Sequence, residues 1–264
     1  MKLRHDETGT GPALFLVHGL GATGNLWGGV VPTLSRQFRV VCPDLRGSGR
    51  TLCDGGAISS ESLAADLLEL ADSLGIQQAH WVGHSYGCVV LQHLAVAHPS
   101  RVLGLGLIGP IRSASEAARA ALAARAAKAR AEGLADIGTA TAQMGTSAET
   151  RAHRPEVAAF VREMVMRQDA ESYAMTCEAV ANSTPSGIEN LRCPTLVITG
   201  DEDMTSPPPV ARAIADLITD AKFHILPRCG HWTPIERSKE VTDLLVNFLL
   251  GGTGGRNAPA GTRS

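Results

Sequence analysis

The sequence contains no apolar run approaching the roughly 20 residues that span a bilayer. Its first residues, Met1-Lys2-Leu3-Arg4-His5-Asp6, hold no apolar stretch of the kind that opens a secretory leader. It has almost no net charge. Its 24 Lys and Arg against 26 Asp and Glu leave −2, so no strong field draws it to nucleic acid or to anionic lipid. It has no C-x-x-C pair. The six cysteines, Cys42, Cys53, Cys88, Cys177, Cys193 and Cys229, are scattered, which gives little support to a zinc site or a thioredoxin-type centre. Several lie in apolar contexts such as Val40-Val41-Cys42 and read as reduced, buried thiols. The expectation is a cytoplasmic protein without nucleic-acid or membrane partners.

What is present is ordinary globular material: 264 residues, 44% apolar and 19% charged. That is enough for one substantial core, or one core with an inserted lid. Short apolar runs at Ala13–Val17, Phe38–Cys42, Ala79–Gly83, Val102–Ile108, Thr195–Thr199 and Lys222–Leu226 read as strands. Most are apolar throughout, as expected of strands covered on both faces. Helical spacing occupies Ser60–Leu74, Tyr86–His98, Pro207–Ile218 and Arg237–Leu250. Gly75 stands at a C-cap, Pro99 stops a helix, and Ser206-Pro207 reads as an N-cap followed by proline at the first helical position. Alternation of strand and helix implies an α/β fold, a mostly parallel twisted sheet with helices on both faces.

Residues 111–190 break the alternation with helical patterns alone. Ala114–Ala131 is alanine-rich, and the basic residues on it read as a solvated face. Val157, Phe160, Val161, Met164 and Val165 form a helical stripe expected to pack partly towards the active-site pocket. The chain therefore divides into a first core part, 1–110, a helical cap, 111–190, a second core part, 191–250, and a glycine-rich tail, 251–264, expected to be disordered.

Gly83-His84-Ser85-Tyr86-Gly87 is a G-x-S-x-G between a strand and a helix, the arrangement of a nucleophile elbow. The glycines relieve crowding, Ser85 projects its hydroxyl, and the Tyr86 N–H sits at a helix N-terminus where it can donate to an anion. His18-Gly19-Leu20-Gly21 follows the strand at 13–17 and offers the Leu20 N–H as a second oxyanion donor. His18, before the turn, reads as a structural hydrogen-bonding residue, and His84 as pointing away from the serine hydroxyl. Of nine histidines, His231 in Gly230-His231-Trp232 lies in the loop between the last strand and last helix and suits the base. Asp201, Glu202 and Asp203 are all candidate acids. Asp203 lies deeper in the loop, and Asp201 reads as bonding the local turn. The order Ser85, Asp203, His231 is nucleophile, acid, histidine.

With these residues, the chain resembles the α/β-hydrolase superfamily from about residue 8 to residue 250. The motifs HGLG, DLRGSG at Asp44–Gly49, GHSYG, GDED and GHW occur in the expected order. It looks most like the 3-oxoadipate enol-lactonases, through Gly200-Asp201-Glu202-Asp203 followed by Pro207-Pro208 and through Asp169–Ala179. The resemblance implies an α/β-hydrolase fold with an inserted helical cap, and its G-x-x-D pattern implies Asp203 over Asp201. The chain departs from it in Cys88, where many members have glycine, in Gly109-Pro110-Ile111-Arg112, and in a cap without tryptophan. It also starts at what looks like the fold's second strand, so that the usual first strand is missing or short.

The expectation is a serine hydrolase that cleaves a small carboxylic ester or lactone through an acyl-enzyme, with Ser85, Asp203 and His231 catalytic, and with no metal or organic cofactor. A carbon–carbon bond hydrolase with the same triad, or a hydrolase-fold ligand receptor that does not turn over, are the alternatives.

Overall fold

The computed structural model describes residues 2–53 and 56–251. Among them, seven strands form one sheet: β1 (His5–Thr8), β2 (Ala13–Val17), β3 (Arg39–Pro43), β4 (Ala79–His84), β5 (Val102–Ile108), β6 (Thr195–Gly200) and β7 (Lys222–Leu226). Their order is β1-β3-β2-β4-β5-β6-β7. Every neighbouring pair is parallel except β1 with β3. The helices are α1 (Val31–Leu34), α2 (Ser60–Ser73), α3 (Tyr86–Ala97), α4 (Glu116–Glu132), α5 (Ala135–Gly145), α6 (Ala148–His153), α7 (Pro155–Met166), α8 (Ala170–Ala181), α9 (Pro208–Ala215), α10 (Thr233–Glu236) and α11 (Ser238–Gly251).

The central strands β2, β4 and β6 are buried along their whole length. Their side chains still alternate, because successive Cβ atoms leave a strand on opposite faces. Phe15, Val17, Trp81, Leu105 and Val197 enter one core with Leu63 and Leu67 of α2, Val90 of α3 and Ile214 of α9. Leu14, Leu16, Val82, Leu196 and Ile198 enter a second core with Leu34 of α1 and Val241, Leu245 and Phe248 of α11. Phe15 and Trp81, register partners on β2 and β4, stack with centroids 4.2 Å apart. This two-sided covering fixes the sheet, and its C-terminal edge carries the loops described below.

The first strand, expected to be missing or short, is present and short: β1, His5-Asp6-Glu7-Thr8, is polar and lies on the sheet's edge, where no apolar alternation is required. Two local expectations need correction. Ser206 does not cap α9. The cap position is Pro207, and the Ser206 hydroxyl donates to the Pro110 carbonyl 2.5 Å away, across to the end of β5. The basic residues of α4 are not a uniform solvated face, because Arg130 bridges to Glu171 and Glu178 of α8 and Arg125 lines the central cavity.

From β5 to β6 the chain is helical, α4 through α8, with one short 3-10 turn at Ile188–Asn190. Helix α4 packs on α8 and α5 on α7. No helix among the described residues is long and apolar enough to cross a membrane. The tail at 251–264 lies outside the described residues apart from Gly251.

Candidate active site

Ser85 is the hinge between β4 and α3. Its φ of 53° with ψ of −119° lies in the left-handed half of backbone space, which a non-glycine residue occupies at a cost of about 1–3 kcal/mol. The neighbours hold it there. The Ser85 N–H donates to the Ile108 carbonyl at 2.9 Å. A Cβ on Gly83 would stand 2.8 Å from the Gly87 carbonyl, and one on Gly87 would stand 2.6 Å from the carbonyl oxygens of Val17 and His18. The turn closes only with glycine at both places. Cys88, the departure from the family pattern, lies beneath the turn. Its thiol donates to the carbonyls of Gly83 at 3.2 Å and Ile108 at 3.4 Å, and it does not line the cavity.

Asp203 is 2% exposed, so every lone pair on it needs an answer. Oδ1 accepts from the backbone N–H groups of Thr205 and Ser206, each at 2.8 Å, and Oδ2 faces His231 Nδ1 at 2.8 Å. Burial pushes this carboxyl up, but the His231 ring and the two backbone donors outweigh burial and leave it below its usual range. An ionised carboxylate only accepts, so Nδ1 carries a proton and Nε2 is the basic nitrogen. Asp201 is exposed, and its Oδ1 accepts from the Cys229 N–H at 3.0 Å.

Ser85 and His231 line one cavity of about 880 Å3, together with Leu20 and Tyr86. No hydrogen bond joins Ser85 Oγ to His231 Nε2 in this state, a looseness common in unliganded sites. Neither the Leu20 nor the Tyr86 N–H donates to a protein acceptor among the described residues. Gly19 brings the two loops together: a Cβ there would lie 2.8 Å from the His84 carbonyl and 3.0 Å from Tyr86 N. Among the described residues no group of three His, Cys, Asp or Glu side chains is placed to hold a metal ion.

The other two histidines of the motifs are buried. The Leu45 N–H donates to His18 Nε2 at 3.0 Å and His18 Nδ1 donates to the Gly19 carbonyl at 2.8 Å, which shapes the HGLG turn. His84 Nε2 donates to the His231 carbonyl at 2.8 Å, and its ring lies 4.8 Å from the His231 ring. Burial first, then the neighbouring His231, depress His84 to about 3. Burial depresses His18 as well.

This pair gives the fold an acid sensitivity. An imidazole in the unfolded chain protonates near 6.5, whereas folded His84 resists down to about 3. Between those limits the unfolded state binds more protons. Stability is therefore full above pH 6.5 and is lost as pH falls, by about 1.4 kcal/mol per pH unit for one such group. In urea titrations of wild type and His84→Gln, the loss of stability between pH 6.5 and pH 4.5 should be smaller in the variant by about 2 kcal/mol. An identical pH dependence in both proteins would show that His84 does not supply it.

Sequence reasoning missed several participants. The Gly145 carbonyl at the end of α5 accepts from the His231 N–H at 2.7 Å, tying the helical segment to the histidine loop. Buried Glu236 accepts from the Ser147 N–H at 2.7 Å and the Thr150 hydroxyl at 2.8 Å, a second tie. Gly109, with φ of 57°, passes so close to His231 and Asp203 that a Cβ would lie 3.1 Å from Nδ1. No local pattern marks any of these, because each acts through its backbone or across a long separation. The cavity wall also differs from the expected one. Val161, Met164 and Val165 of α7 are buried in the cores, Val157 is buried and Phe160 is exposed, and none of them lines the cavity. The wall comes from Ala118, Ala121, Leu122 and Arg125 of α4 and Thr141, Met144 and Gly145 of α5.

The model of the alpha/beta hydrolase fold matches residues 12–238. A 2-hydroxymuconate semialdehyde hydrolase of Pseudomonas sp. (strain CF600) is 30% identical over 92% of this chain and 88% of its own. Among solved structures, a thermophilic esterase from Thermogutta terrifontis with malate bound superposes with a TM-score of 0.91 at 31% identity, over 95% of this chain and 93% of that one. The enol-lactonase from Burkholderia xenovorans LB400 gives 0.89 at 30% identity, over 94% and 96%.

Proposed function

The chain belongs to the alpha/beta hydrolase fold family, and we propose that within it the protein is a serine hydrolase that cleaves a small carboxylic ester or lactone through an acyl-enzyme. The observation that carries this reading is the buried Asp203–His231 pair at 2.8 Å, opening on the same cavity as the strained Ser85 turn. Ser85 Oγ attacks the carbonyl carbon while His231 Nε2 takes its proton. Asp203 holds Nδ1–H and stabilises the imidazolium. The oxyanion accepts from the N–H groups of Leu20 and Tyr86, each such donor worth about 3–4 kcal/mol in the transition state. Collapse expels the alcohol, or opens the lactone ring, with the proton returned by His231. Water then enters by the same base and frees the acid. The segment 111–190 acts as the cap, and its α4 and α5 close the cavity. Six unpaired thiols suit a reducing compartment, in keeping with a cytoplasmic location.

The 30% identity to a 2-hydroxymuconate semialdehyde hydrolase favours a second reading, carbon–carbon bond hydrolysis by the same residues. One panel separates them: small lactones, p-nitrophenyl esters, and a 2-hydroxy-6-oxo-dienoate. Turnover of esters or lactones with no cleavage of the dienoate supports the first reading. The reverse result replaces it. No turnover of any of the three would leave the fold without this chemistry.

Gly19→Ala tests the oxyanion geometry. The added methyl would press within 3.0 Å of Ser85 Cβ and Tyr86 N, moving both donors. A kcat loss of roughly tenfold or more with KM little changed is expected. Unchanged kcat in the folded variant would count against Leu20 and Tyr86 as the donors.

A further inference from the structure

The cavity is apolar on one side and basic on the other. Met204, Pro209, Val210, Ile214 and Leu217 line it from the acid loop and α9. Opposite them, Ala118, Ala121, Leu122 and Arg125 form an i, i+3, i+4, i+7 face of α4, so that small side chains leave open space in front of the arginine. Leu122 and Leu20 pack against one cluster that also contains Tyr173, and a Cβ on Gly21 would meet Tyr173 Cε2 at 3.1 Å. The Arg125 charge bears directly on Tyr173 and Cys177, groups that burial keeps neutral. Arg125 therefore stands on the side of the cavity that holds the HGLG loop.

Arg125 is half-buried, and no carboxylate lies within ion-pairing distance of it among the described residues. Its neighbours on the same helix are answered: Arg130 pairs with Glu171 and Glu178, and Lys128 with Glu132 and Asp136. Arg112, the other arginine in the wall, pairs with Glu189 at 3.3 Å and keeps a buried Nε without a partner. A guanidinium that loses water without gaining a counter-charge is unfavourable, and its planar fork matches a carboxylate. One uncompensated positive charge calls for one negative charge.

We propose that the substrate carries, besides the scissile carbonyl, a carboxylate seated on Arg125, and an apolar remainder lying along α9. The proposal rests on the hydrolase reading of the Ser85 site for the identity of the ligand as a substrate.

The test compares mono-p-nitrophenyl glutarate with its methyl ester, two substrates that differ only in the remote charge. Wild type should favour the anionic ester in kcat/KM. Arg125→Gln should lower the anionic-to-neutral ratio by roughly tenfold to a hundredfold, the range of a charge-assisted hydrogen bond. Arg119→Gln, on the exposed face of α4, should leave the ratio alone. Calorimetric binding of free glutarate, which needs no turnover, should weaken at least tenfold in Arg125→Gln. If neither ester is hydrolysed but glutarate binding depends on Arg125, the hydrolase reading fails and the anion seat stands. If wild type shows no anionic preference, or Arg125→Gln lowers both esters alike, the arginine packs Tyr173 and the proposal is overturned.

Discussion

Ser85→Ala is expected to lower kcat by roughly 10⁶-fold while the protein remains folded, the scale seen when a triad nucleophile is removed. Alanine keeps the Cβ, so the contacts of the turn and its positive φ persist. What disappears is the hydroxyl, which has no hydrogen-bond partner among the described residues and is partly exposed on the cavity. The loss should therefore be catalytic, with the unfolding midpoint moving little. Other serines near the site are occupied differently. Ser115 caps α4 through Ala118 N at 3.2 Å, and Ser206 donates to Pro110. Cys88, the nearest thiol in sequence, is fully buried, and burial pushes its pKa up, which removes it as a substitute nucleophile. A sulfonyl fluoride should accordingly modify wild type once, on the peptide holding Ser85, and leave Ser85→Ala unmodified. Full activity in the folded variant, or stoichiometric labelling elsewhere with activity lost, would remove Ser85 from the mechanism.

The parts of this molecule that could be read from sequence are those whose cause is local. Ala13-Leu14-Phe15-Leu16-Val17 is apolar because both its faces meet helices, and the strand lies where the run lies. Gly83 and Gly87 bracket Ser85 because carbonyls stand within 2.8 Å of where a Cβ would go, so the turn writes itself into the sequence. Edge strand β1 wrote nothing, since an edge needs neither alternation nor burial. The helices between β5 and β6 were legible as helices but not in their orientation. The stripe on α7 is the more hydrophobic one, and so it serves the cores. The face of α4 that reaches the cavity consists of two alanines, one leucine and one arginine, and in an alanine-rich helix it has no contrast to mark it. Ties such as Gly145 to His231 join positions 86 residues apart through a backbone carbonyl that any residue type supplies.

Asp203→Asn should lower kcat by about 10²–10⁴-fold, and Asp201→Asn by less than roughly tenfold. The two residues share one loop, so their separation in sequence does not choose between them. Their hydrogen bonds do. Asp203 Oδ2 lies 2.8 Å from His231 Nδ1, whereas Asp201 Oδ1 takes the Cys229 N–H at 3.0 Å and ties its loop to the one that follows β7. Asparagine at 203 can keep one oxygen for the N–H groups of Thr205 and Ser206, both at 2.8 Å. Its amide nitrogen then faces Nδ1 as a donor. The ring must accept there and carry its proton on Nε2, the wrong tautomer for taking a proton from Ser85. The imidazolium also loses its counter-charge. At 201 the amide oxygen still accepts from Cys229, so only a charge on an exposed side chain is lost. Asp203 is held below its usual carboxyl range, so its contribution to stability is present above about pH 4 and lost as pH falls below that. Both variants should therefore be compared at pH 8, after circular dichroism shows each folded, so that a kcat difference reports on the tautomer and not on unfolding. A folded, inactive Asp201→Asn beside an active Asp203→Asn would assign the orienting acid to Asp201 and overturn the mechanism given for His231.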